Sequence, residues 1–347
     1  MNPILFYIGD FHVAWYGALT MAGLVTGGMV ALWLGKRDGI PDIAILDLLL
    51  MIVIGMVIGA RGLYIIVEWD EFSQDPAGLF FSRSGFVFLG GLIGSTTACA
   101  YYMLRTKLPF WRVADVFAPA VPLGHAFGRI GCHMTGCCFG GVCSPDAFYA
   151  IQVEPTIGRH GDILGGWAAI EHAKMGLVPP GGPSLPMYPI QLFEAGALFL
   201  LAGALFWLKV KRPGWVGRTF LAYLMAYAVI RFGLEFLRGD AERGVYNLGF
   251  AELSASQLLG SAIFAAAAVA WWFGRRGQLP GQQTPLPEFL DEEPPVLEEA
   301  PAPAPKNGSR RSERKTTLSK TNGAEKESGR NAGRKKASAK KARSGSR

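Results

Sequence analysis

The chain has 347 residues, half of them hydrophobic and only 18% charged, with a mean hydropathy of +0.25. Soluble domains carry about 25% charged residues, so this composition excludes an ordinary water-soluble enzyme. A net charge of +7 leaves two classes, a membrane protein or a nucleic-acid binder. The distribution of charge separates them. Residues 1–274 hold 17 Lys/Arg against 18 Asp/Glu, and residues 275–347 hold 17 against 9. The basic excess therefore belongs to the C-terminal segment alone.

In chain order, seven apolar stretches stand out: 13–34, 43–67, 86–104, 113–131, 188–208, 219–238 and 253–273. A bilayer span needs about 20 apolar residues. The first, third and seventh stretches contain no charge, and the fourth is interrupted by Pro119 and Pro122. The first lacks a basic leader and is too long for a signal-peptide core, so it is expected to be a retained span. Residues 132–187, between the fourth and fifth stretches, lack a span pattern. Residues 275–305 are rich in Pro and Glu, and residues 306–347 carry 15 basic residues against 3 Glu. Neither has hydrophobic periodicity, and both are expected to be disordered, as a linker and a basic tail.

Lysine and arginine alternate between loops. Lys36 and Arg37, then Arg105, Lys107 and Arg112, then Lys209, Lys211, Arg212 and Arg218, then Arg275 and Arg276 mark one side. The positive-inside rule makes that side cytoplasmic. The expected fold is an all-α integral membrane protein with seven transmembrane helices. Its N-terminus is outside, its C-terminus cytoplasmic and its 132–187 segment external. The folded body is residues 1–274. The basic tail lies beside an anionic leaflet, where lipid contact or simple solvation is preferred to specific nucleic-acid binding.

Charge inside a span is costly and needs a partner or a wet cavity. Asp47, Arg61, Asp115, Arg129, Glu194, Arg231, Glu235 and Arg238 all fall within spans. At about 100° per residue, Tyr227, Arg231, Glu235 and Arg238 share one helix face. Arg231 and Glu235 are spaced for an ion pair, and a second arginine leaves positive charge for an anion. Guanidinium binds phosphate bidentately, which makes phosphate a natural counter-ion. Arg129 lies among Gly124, Gly128 and Gly131, where a backbone or a ligand can approach closely. Just beyond it come Cys132, Cys137, Cys138 and Cys143, with His125 and His133 nearby. Their spacing is not that of a common zinc motif; a disulfide, buried thiols and a metal site all remain open.

The ordered motifs resemble those of the bacterial prolipoprotein diacylglyceryl transferases. They are Trp-Tyr-Gly (15–17), Gly-Gly-Leu-Ile-Gly (90–94), Gly-Arg-Ile-Gly (128–131), Tyr-Pro-Ile-Gln-Leu-Phe-Glu (188–194) and Arg-Phe-Gly-Leu-Glu-Phe-Leu-Arg (231–238). The resemblance spans most of residues 10–273. It implies an inner-membrane enzyme that moves the diacylglyceryl group of phosphatidylglycerol to the lipobox cysteine of a prolipoprotein, releasing glycerol phosphate. It implies catalytic roles for Arg129, Arg231 and Tyr16. It implies substrate contacts for Arg129, Gly90, Gly91, Gly94, Gly140, Tyr227, Glu235 and Arg238. No cofactor and no metal ligand is assigned.

Four positions depart from the family pattern. Leu89 stands where many members have His, Cys132 and Thr135 stand at the two Asn positions, and Cys137 stands at the Glu position. Glu235, His125 and His133 are then the candidate bases. Two other readings stay open: a diverged member using another phospholipid or thiol, and a non-enzymatic lipid-binding or transport protein.

Overall fold

The computed structural model describes residues 2–9, 11–76, 78, 87–159, 161–239, 245–247 and 252–287. The chain divides into one unit of residues 1–295 and a second of residues 296–347. The second unit lies outside the described residues, as do the basic tail 306–347 and all of the linker beyond 287.

A hairpin of β1 (Ile4–Ile8) and β2 (Phe11–Ala14) leads directly into α1 (Trp15–Arg37). The Trp15 amide donates to the Pro3 carbonyl at 2.9 Å, which ties the hairpin to the helix start. Next come α2 (Asp42–Val67), the short α3 (Trp69–Gln74) and α4 (Phe88–Thr106). The fourth apolar stretch divides into α5 (Phe110–Phe117) and α6 (Ala120–Thr135). The fourth stretch, expected to be interrupted by Pro119 and Pro122, is thus two helices. The break falls at Pro119, which has no amide to continue a helical ladder.

Residues 136–187 hold a small pair, β3 (Thr156–Ile157) and β4 (Ile163–Gly165), and α7 (Trp167–Lys174). The last helices are α8 (Ile190–Lys211), α9 (Arg218–Glu235) and α10 (Ala255–Gly274). Between α9 and α10, β5 (Val245–Asn247) pairs with β6 (Glu252–Ser254). Ser254 and Gln257 form a capping box at the start of α10.

Four helices, α1, α2, α8 and α10, are long and apolar enough to cross a membrane. Their surroundings agree with hydrocarbon rather than water. Leu200 is 78% exposed and Ile66 69%, although both are strongly apolar. A mostly helical protein with this apolar exterior is a membrane protein.

Small residues set the helix contacts. A Cβ placed on Gly59 would collide with the Gly90 carbonyl, and one on Gly94 with the Gly55 carbonyl. The backbones of α2 and α4 therefore touch, and Ser95 Oγ donates to the Ile52 carbonyl at 2.9 Å across the contact. On α1, a Cβ at Gly23 would lie 2.8 Å from the Gly124 carbonyl of α6. The glycines thus bring α6, with its arginine, against α1.

At the end of the bundle opposite Arg129, Leu34, Ile45, Leu108 and Val116 form a buried cluster. Residues 275–287 close over this end, although 275 was expected to open a disordered linker. Leu286 packs against the cluster. Gln282 Nε2 donates to the carbonyls of Val216 and Gly274 at 3.0 and 2.8 Å. Trp111 Nε1 donates to the Pro280 carbonyl at 2.9 Å. The ordered body thus runs at least to residue 287. Its last segment is held by side-chain amide and indole hydrogen bonds, which periodicity does not report.

Candidate active site

The charges expected at membrane depth are met by partners. The Tyr102 hydroxyl donates to Asp47 Oδ2 at 2.7 Å. Asp115 accepts from the backbone amides of Gly217 and Phe220 at 2.8 and 2.9 Å, which satisfies the start of α9. Lys209 Nζ lies 2.6 Å from Asp38 and 3.7 Å from Asp115. Each of these pairs is structural and belongs to the bundle.

A second group of charges gathers where α6, α8 and α9 meet. Arg129 of α6 places Nη2 3.1 Å from Glu194 Oε1 of α8, and the carboxylate is buried. Arg129 Nε donates to His125 Nε2 at 3.2 Å, one turn earlier. The His125 ring is 5.7 Å from that of Tyr227 on α9. One turn on, Arg231 Nη1 lies 2.8 Å from Glu235 Oε2. Tyr227 is within electrostatic reach of Glu194, Arg129, Arg231 and Arg238. Arg129 of α6 thus meets Arg231 of α9 and Arg238 just beyond it around this tyrosine.

Arg238 reaches this point by a route the helical face did not predict. Helix α9 ends at Glu235, so Arg238 is not on its face. Instead Arg238 pairs in a β-bridge with Gly140. The Gly141 amide donates to the Leu237 carbonyl at 2.8 Å, and the Gly239 amide to the Phe139 carbonyl at 3.3 Å. This backbone pairing stops the helix and swings Arg238 toward the loop after α6. Gly140 itself has no room for a side chain: a Cβ would collide with the Tyr188 carbonyl.

Tyr16, at the start of α1, packs against Gly131, where a Cβ would lie 3.0 Å from its ring. It lies within electrostatic reach of Arg129 and of Cys132, Cys137 and Cys138. Gly90, Gly91 and Gly94 face α2, and their missing side chains serve helix apposition. Leu89 is exposed at the start of α4. Of the candidate bases, His125 and Glu235 are engaged by arginines, and His133 keeps a buried Nδ1 with no hydrogen-bond partner among the described residues.

The arginine cluster adjoins an apolar cleft of about 220 Å³ between α1, α2 and α6. Leu24, Ile52, Val53 and Met56 help to wall it, and His125 also lines it. Guanidinium groups beside an apolar cleft match a ligand with an anionic head and hydrocarbon tails.

Sequence reading located the arginines and Tyr227 but gave Glu194 no role. Its signal was available, because an acid in the middle of an apolar stretch implies a partner. Gln191 was also missed. It is buried one turn before Glu194, and its Nε2 donates to the Cys137 carbonyl at 2.8 Å, fixing the cysteine loop to α8.

A membrane protein with a buried arginine cluster beside an apolar cleft is of the lipid-handling class. The model of the family described as prolipoprotein diacylglyceryl transferase matches residues 3–273. The chain belongs to that family, and it is a transferase. Among similar proteins, a phosphatidylglycerol–prolipoprotein diacylglyceryl transferase of Vibrio campbellii is 34% identical over 273 residues, covering 75% of this chain and 86% of its own. One of Aeromonas salmonicida is 32% identical over 294 residues, covering 81% and 93%. A second such transferase of Clostridium perfringens is 30% identical over 260 residues, covering 75% and 90%.

Proposed function

We propose that this protein transfers the diacylglyceryl group of phosphatidylglycerol to the lipobox cysteine of prolipoprotein signal peptides, in the bacterial inner membrane. It does so with seven spans, the N-terminus outside and the 132–187 segment external. The names of its relatives and its apolar helices support this reading. The observation that carries it is the convergence of Arg129, Arg231 and Arg238 on Tyr227 beside an apolar cleft.

The reaction alkylates a thiol at a glycerol carbon. The sulfur–carbon bond forms, the carbon–oxygen bond to phosphate breaks, and glycerol phosphate leaves with the electron pair. Negative charge grows on the leaving phosphate in a poorly hydrated site, where fixed guanidinium groups stabilise it most. In this reading Arg129 and Arg231 bind the phosphate, Arg238 adds positive charge from the loop side, and Tyr227 and Tyr16 orient the headgroup. Glu194 and Glu235 hold the two guanidiniums in place. Gly90, Gly91, Gly94 and Gly140 act by letting backbones close around the site.

The test is transfer from labelled phosphatidylglycerol to a lipobox peptide by purified protein. Arg231→Ala is expected to lower transfer at least about a hundredfold, the usual effect of removing one charge-stabilising donor. Full activity in Arg231→Ala overturns the arginine model. Transfer from phosphatidylethanolamine at the same rate overturns the choice of lipid.

A further inference from the structure

The last turn of α6 and the loop that follows it bring three thiols together. The Sγ atoms of Cys132, Cys137 and Cys138 lie within 4.8 Å of one another. All are free thiols. Cys143, the fourth cysteine of the run, is not in the group; its amide is bound to the Pro186 carbonyl at 2.9 Å.

The local chain is built to hold this arrangement. Gly136 ends α6 in the left-handed conformation, with φ of 69°. The Cys137 amide then returns to the Cys132 carbonyl at 3.2 Å. Cys138 is also left-handed, at φ of 54°. That conformation is uncommon for a residue other than Gly, Asn or Asp. It turns the Cys138 thiol back toward Cys132, with which it is in hydrogen-bond contact. Gln191 clamps the loop from α8, and Thr135 Oγ1 lies 3.2 Å from Cys137 Sγ.

Three sulfurs bound to one zinc at about 2.3 Å lie slightly under 4 Å apart, so this cluster needs little adjustment to close on a metal. Zinc bound by three thiolates carries one net negative charge. Arg129 and Arg238 are both within electrostatic reach of Cys138 and offset it. Three protein ligands leave one tetrahedral position open, as in catalytic rather than structural zinc sites.

We propose that Cys132, Cys137 and Cys138 form a zinc site whose fourth ligand is the acceptor cysteine of the prolipoprotein. This rests on the transferase reading above and supplies the step it lacks. His125 and Glu235 are engaged by arginines, whereas a thiol that binds zinc is deprotonated outright. The acceptor thiol releases its proton to solvent on binding. The zinc-bound sulfur attacks the glycerol carbon as the bond to phosphate breaks. The neutral thioether that results is a far weaker ligand than a thiolate, and it leaves.

The experiment uses full-length protein purified in detergent, loaded with zinc, desalted and assayed by elemental mass spectrometry. About one zinc per chain is expected in the wild type and in Cys143→Ser. Zinc is expected to be lost in Cys132→Ser and Cys138→Ser. Loading the wild type with cobalt gives a check that needs no variant. A thiolate-to-cobalt charge-transfer band is expected, and the visible bands should change when a lipobox peptide is added but not with its Cys→Ser form. Removing zinc with a chelator should lower lipid transfer at least about a hundredfold, restored by zinc.

Absence of zinc and of the cobalt band overturns the site. Bands unchanged by the cysteine peptide overturn the fourth-ligand role. Full transfer by metal-free protein overturns the catalytic role while leaving the transferase standing. Zinc binding with no lipid transfer in any form overturns the transferase reading on which the role rests.

Discussion

Glu194 on α8 and Arg129 on α6 form a buried ion pair, 3.1 Å between Oε1 and Nη2. The pair joins two helices and fixes the arginine one turn above the cysteine loop. Removing one partner of a buried pair leaves an uncompensated charge, which costs about 3–5 kcal/mol. Glu194→Ala is therefore expected to lower the thermal unfolding midpoint in detergent. Because Arg129 is left unpaired in the single variant, the double variant with Arg129→Ala should recover part of the loss. Equal midpoints for the wild type and Glu194→Ala would show that the pair does not hold α6 to α8.

The glycines of α2 divide by their neighbours. A Cβ on Gly59 meets the Gly90 backbone, whereas one on Gly62 meets nothing within 4 Å. Gly59→Ala forces the α2 and α4 backbones apart and should cost about 1–3 kcal/mol or more. Gly62→Ala fills open space, with a helix-propensity gain of about 0.5–1 kcal/mol. Unfolding midpoints of the two variants should move in opposite directions. A shared direction would mean that α2 and α4 are not in backbone contact.

His172 on α7 predicts a pH response in the 132–187 segment. The ring is buried, its Nδ1 accepts from the Leu185 amide at 3.1 Å, and it lies edge-on to Phe139. Burial pushes its pKa below the ordinary value of 6.5, so the folded segment holds it neutral. Above that pH neither state binds the proton and stability is level. Below it the unfolded state takes up the proton first, so stability falls with falling pH. Protease cleavage within 132–187 should therefore rise as pH drops from about 7 to 5. His172→Asn should flatten that slope; an unchanged slope would assign it to another group.

The docked segment after α10 sets a limit on truncation. A chain ending after residue 287 keeps Gln282, which is buried and bonded to Val216 and Gly274, and Leu286, which packs on the core. It is expected to match the full chain in thermal stability and in lipid transfer. A chain ending after residue 274 loses these contacts and should unfold at lower temperature. Equal midpoints for the two truncations would show that the segment adds nothing to stability.

How far the sequence is legible depends on the range of the interaction. The apolar stretches at 43–67, 188–208 and 253–273 became α2, α8 and α10 because length and hydropathy are local properties. Arg129 and Arg231 stood out because charge in an apolar stretch is anomalous in any fold. Arg238 was read as helical because nothing within 231–238 forbids it. What stops the helix is the backbone of Phe139 and Gly141, about a hundred residues earlier in the chain. The segment 275–287 looks disordered by composition, since its order depends on carbonyls at Val216 and Gly274 and on the Trp111 indole. Gly90 and Gly94 read equally well as packing or as ligand contacts until α2 is seen against them.

The docked segment also bears on how the chain is made. Its contacts reach back to residues near Gly39, Trp111 and Val216, which are synthesised long before it. The bundle end is complete only once the chain beyond α10 has been made, so this segment is the last latch set on helices already laid down.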